Sequence, residues 1–142
     1  MKRTYISAVT GTFLGFILLL SACATVPKEA DLKESLSSAA SLYWKMRMDG
    51  KVEETFKMED EEILAKGNKA KEPLFEYYKP RAKIADTVHS FSIKRVQVTD
   101  DNGRVDVEFS FSLAQVPRPV HQTLTDEWVF KGGQWLHKFP LN

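Results

Sequence analysis

The apolar positions of this chain change period twice, and each change marks a different kind of structure. Between residues 4 and 22 they form a nearly unbroken run. Ile6, Ala8 and Val9 lead into Phe13-Leu14-Gly15-Phe16-Ile17-Leu18-Leu19-Leu20, and the small residues Ser21 and Ala22 follow. From Ala30 they recur at helical spacing. Leu32, Leu36, Ala39, Tyr43 and Met46 lay one apolar stripe along a helix. Asp31 suits its N-cap or first turn, with Glu34 three residues on, and Asp49-Gly50 ends it. Val52 and Phe56 begin a second, short helix. Glu59-Asp60-Glu61-Glu62 comes next, then Lys66, Lys69 and Lys71. Such a charge run reads as a solvated face, with Glu62 and Lys66 placed for an i,i+4 pair. The acids lack the alternate spacing and glycine turn of a calcium loop. Leu74-Phe75-Glu76-Tyr77-Tyr78 adds one more helical turn before Pro80.

Beyond Pro80 the period becomes two. Val105, Val107, Phe109, Phe111 and Leu113 alternate with Arg104, Asp106, Glu108, Ser110 and Ser112, which predicts a strand with one dry and one wet face. Asn102-Gly103 is the residue pair of a type I′ hairpin. A two-residue loop there pairs Val98 with Val107 and Val96 with Phe109. Phe91 and Ile93 then fall on the wrong face, so a β-bulge is expected near Lys94-Arg95. Pro117-Arg118-Pro119 interrupts the ladder. A further strand covers about His121–Lys131, turns at Gly132-Gly133 and returns over Gln134–Phe139. That turn sets Phe130 opposite Trp135, Trp128 opposite His137 and Glu127 opposite Lys138. One face of the hairpin carries Leu124, Trp128, Phe130, Trp135 and Phe139, and is expected to pack on the helices. Helices first and an antiparallel sheet afterwards is an α+β pattern.

Composition narrows the function classes. The chain has 142 residues, enough for one domain, and a formal net charge of +1, which argues against a basic nucleic-acid binder. Cys23 is the single cysteine, so neither an intramolecular disulfide nor a cysteine-based zinc site is available. The three histidines show no His-x-x-x-His spacing. Serine-nucleophile and phosphate-loop motifs are also missing, so no metal or cofactor is expected.

Lys2 and Arg3 ahead of the apolar run, with small residues behind it, give the order of a secretory signal. Leu20-Ser21-Ala22-Cys23 resembles the bacterial lipoprotein box. The resemblance implies that the Cys23 thiol takes a diacylglyceryl group, that the signal (residues 1–22) is cut off, and that the new amine is acylated. More than one acyl chain gives stable anchoring. Residues 23–29 then form a lipidated tether and residues 30–142 the folded domain. Ala24 stands where an aspartate favours inner-membrane retention in such proteins, which implies the outer membrane. The alternative is an uncleaved helix over residues 4–22, just long enough to span.

Three local patterns resemble nuclear transport factor 2-like domains. Tyr43-Trp44-Lys45-Met46-Arg47-Met48-Asp49-Gly50-Lys51 looks like their first helix and turn, the alternating strand 104–114 like their central strand, and Asp126–Trp135 like their closing hairpin. The resemblance implies a cone of helices packed on a curved antiparallel sheet; the cystatin-like fold is a near neighbour. Enzymes of this fold place carboxylates, histidines or tyrosines inside the cone. By the hairpin register Asp126 and His137 are diagonal neighbours on the inner face, a candidate general-base pair. Tyr43, Trp128, Phe130 and Trp135 are candidate ligand-lining residues, although aromatic residues at such spacing also build cores. Trp44, Tyr77 and Tyr78 carry the same two readings. The leading expectation is a non-enzymatic module of the cell envelope that binds another envelope protein or a small apolar ligand. The alternatives are an isomerase or dehydratase using Asp126 and His137, and an assembly subunit that forms a homodimer through its sheet.

Overall fold

A computed structural model describes residues 28–141. The expected signal, Cys23 and the tether through Pro27 lie outside the described residues. Four helices come first: α1 (Glu29–Met48), α2 (Val52–Phe56), α3 (Glu61–Gly67) and α4 (Leu74–Arg81). Four strands follow: β1 (Val88–Thr99), β2 (Asn102–Phe111), β3 (Val120–Lys131) and β4 (Gln134–Lys138). They form one open antiparallel sheet in the order β1-β2-β3-β4. The α+β class expected from the periodicities is therefore observed.

In α1 the buried positions are Leu36, Ala40, Tyr43, Trp44 and Arg47, a stripe that includes one cation. Glu29 and Asp31 in the first turn and Lys45 and Arg47 in the last complement the helix dipole. Asp31 is thus a first-turn acid, and the N-cap is Lys28. Gly50, at φ 72°, supplies the left-handed residue that ends the helix, and Lys51 N–H reaches back to Met46 O at 2.9 Å. Leu36, Tyr43, Val105, Val107 and Trp128 are fully buried between α1 and the sheet. A second cluster joins Leu64, Tyr77, Tyr78 and Ala82 to Phe139.

Three expectations need correction. First, α4 continues through Pro80. Proline lacks only one donor and here stands one residue from the helix end, where Arg81 donates to Tyr77 O at 2.7 Å. Second, the β1–β2 turn is Asp100-Asp101, with Thr99 opposite Asn102. Asp100 takes the positive φ of 52°, which aspartate tolerates. Gly103 lies in the strand opposite Val98, and Val96 faces Val105. A Cβ on Gly103 would run into the Leu36 side chain and meet Trp135 at 3.0 Å, so this glycine serves packing. Third, Leu124 and Leu113 stay 44% and 47% exposed, because α1 packs chiefly along β1.

Two other expectations hold. The ladder slips between Ile93 and Arg95, so Lys94 is the extra residue of a bulge. It returns Phe91 and Ile93 to the inner face, opposite Phe109 and Val107. At the second hairpin Gly132 and Gly133 have φ of 59° and 82°, as a type I′ turn requires. Phe130 faces Trp135, Trp128 faces His137 and Glu127 faces Lys138.

Candidate functional site

The expected pair, Asp126 on β3 and His137 on β4, lies on the inner face, with His137 Nε2 3.8 Å from Asp126 Oδ1. That separation is longer than a hydrogen bond and short enough for an ion pair. The other ring nitrogen has a partner that the sequence reading missed: His137 Nδ1–H donates to Glu59 Oε2 at 2.9 Å. Glu59 is 2% exposed and Asp60 3%, so the first half of the acidic run is not the solvated face expected for it.

The backbone explains why. After α2 the chain runs beside β4 as a single parallel bridge, with Glu59 opposite His137. His137 N–H donates to Met58 O at 2.7 Å, and Asp60 N–H to His137 O at 2.8 Å. The bridge covers an edge of β4 and turns the Glu59 carboxylate inward. Asp60 then caps α3, accepting from Glu62 N–H at 3.0 Å and Ile63 N–H at 3.4 Å, and binds Lys131 Nζ at 3.0 Å. Glu62 also meets Lys131, at 3.3 Å, where a pair with Lys66 was expected.

Helix α1 supplies the rest of the network. Tyr43 Oη–H donates to Glu59 Oε1 at 2.6 Å, and Arg47 Nη1 donates to Tyr43 Oη at 2.7 Å. Trp44 Nε1–H donates to Asp126 Oδ2. The Tyr43 ring stacks on the imidazole with centroids 4.5 Å apart, and Trp128 meets that imidazole edge-on at 5.1 Å. Just outside, Tyr78 Oη–H donates to Thr55 Oγ1 at 2.8 Å.

Burial alone would depress the His137 pKa. The Glu59 charge, helped by Asp126, overrides it and raises the value to about 9. His137 is therefore an imidazolium at neutral pH, each N–H turned to a carboxylate. Burial and the same Glu59 charge push the Tyr43 phenol well above its usual value, so it stays a neutral donor. Two carboxylates and two cations, His137 and Arg47, thus tie α1, the bridge, β3 and β4 together.

An imidazolium has no lone pair and cannot be a general base, and this ring is stacked on by Tyr43 and met edge-on by Trp128. The carboxylates approach opposite ring nitrogens, so they do not converge on one point. Among the described residues no group of three or more metal-ligating side chains could hold an ion. Of the ligand-lining candidates, Tyr43 and Trp128 are fully buried and Trp135 is 5% exposed. Trp135 Nε1–H is bonded to Ser35 Oγ at 3.0 Å, and Phe130 packs on the Trp135 ring at 5.1 Å. Trp44, Tyr77 and Tyr78 are also core. His89 and His121 are exposed.

Arg47 was legible. It follows Leu36, Ala40 and Tyr43 on one helical stripe, and a charge on an apolar stripe signals a buried partner. Glu59 carried no such signal. No family model matches the chain, and no curated protein matches it.

Proposed function

We propose that the chain is a lipoprotein of the cell envelope. Acylated at Cys23, it is held at the outer membrane facing the periplasm, and it carries a non-enzymatic binding or assembly module of the nuclear transport factor 2-like kind. The anchor rests on Leu20-Ser21-Ala22-Cys23 behind its apolar run. The cone reading is supported by helices preceding an antiparallel meander with a bulged first strand.

The observation that carries the non-catalytic reading is the filled interior. Tyr43 stacks on His137 and Trp128 meets both rings edge-on at the centre, where a substrate of an isomerase or dehydratase would sit. The histidine that such an enzyme would use as a base is held protonated between Glu59 and Asp126.

Two experiments test the two halves. Replacing Cys23→Ser should abolish processing and release the protein from the membrane fraction; unchanged processing and fractionation would refute the anchor. Asp126→Asn, checked for folding, should still complement a deletion strain. A folded variant that fails to complement would revive the enzymatic reading.

A further inference from the structure

A second feature lies outside this interior. Arg47 is 9% exposed, and its Nη1 is taken by Tyr43. Its Nε is buried with no hydrogen-bond partner among the described residues. No carboxylate among them forms an ion pair with this guanidinium. A buried, unpaired donor on a charged group is costly, and such a group marks a place where a partner belongs.

Arg47 also lines a cleft of about 470 Å³ between the end of α1, the start of α2 and the segment leading into β1. The volume is that of a small-molecule site. Met48, Val52, Ala82, Ile84 and Val88 give it apolar walls. Lys83 and Asp86, both exposed, stand at its border with opposite charges, so the buried cation sets the sign inside.

We infer that this cleft binds a small organic monocarboxylate with an apolar body, the carboxylate paired with the Arg47 guanidinium where that residue lines the cleft and the body received by the aliphatic walls. The inference deepens the binding role proposed above by naming a ligand class. It does not depend on Cys23, whose acylation is read separately by mass, so the failure of one is distinguishable from failure of the other.

The test uses the full chain in detergent micelles, labelled at methionine methyls and arginine nitrogens, titrated with cyclohexanecarboxylate and with the neutral cyclohexanecarboxamide. The carboxylate should move the Met48 methyl and Arg47 Nε resonances and bind at least about tenfold more tightly than the amide, as a charge-assisted pair requires. Ala85→Glu, at an exposed position on the cleft, leaves Arg47 and the core intact and should abolish those shifts. No shift with the carboxylate, equal affinity for the amide, or undiminished binding by the folded Ala85→Glu protein would each overturn the inference.

Discussion

Raising the pH should loosen this protein before Tyr43 and Tyr78 titrate, because His137 carries its proton far above the ordinary range. The folded-state value is raised from 6.5 to about 9. A raised value means that the folded state holds the proton more tightly than the unfolded chain. The associated stability is therefore fully present below pH 6.5 and is lost as the pH climbs through about 9. Because the imidazole is fully buried, solvent does not screen this contribution, and it amounts to about 3 kcal/mol. That is a large fraction of a domain's usual 5–15 kcal/mol, taken as a rough range. Glu59→Gln removes the charge chiefly responsible. It leaves a buried cation short of a partner, at a cost of about 3–5 kcal/mol near neutral pH, and it flattens the alkaline decline. The assay is urea unfolding of wild type and Glu59→Gln at a series of pH values across this window. A wild-type stability that stays level through it, or a Glu59→Gln protein with an undiminished decline, would refute the reasoning.

Further expectations follow from the same network and packing. Above pH 10 the decline should continue, because burial raises both Tyr43 and Tyr78, the latter to about 12; absorbance titration of the phenols against unfolding checks this. Gly103→Ala should destabilise by about 1–3 kcal/mol through overpacking against Leu36, and a neutral or stabilising result in thermal unfolding would contradict the close approach. Asp60 is held below its usual value: burial alone would raise it, and the Lys131 hydrogen bond with the α3 N–H groups prevails. Its contribution is present above pH 3.8 and lost as the pH falls below that, so Asp60→Asn should reduce acid sensitivity relative to wild type in the same urea assay.

Sequence periodicity located the faces and failed on the connections, for a physical reason. Side chains alternate along a strand, so the inner residues of β2 and of the β3–β4 hairpin follow from parity alone. The misplaced β1–β2 turn moved the pairing by four residues, from Val98 opposite Val107 to Val98 opposite Gly103. An even displacement leaves every side chain on its own face, and the bulge expectation therefore held. Gly103 reads as a turn residue because Asn-Gly is a strong turn signal, yet the close approach of Leu36 needs the glycine inside the strand. Glu59 was missed for a different reason. It differs from Glu61 and Glu62 in meeting Tyr43 and His137, the latter 78 residues further on. Local charge patterning carries no information about such a contact. Leu124 shows the converse: its strand parity was right, but exposure depends on where a helix lies.

The most direct test of the account as a whole is the intact mass of the mature protein extracted from membranes. The expected product begins at Cys23, with a diacylglyceryl thioether on its sulfur and an acyl group on its new amine. A chain that retains Met1, or one that carries a free thiol at Cys23, would contradict it.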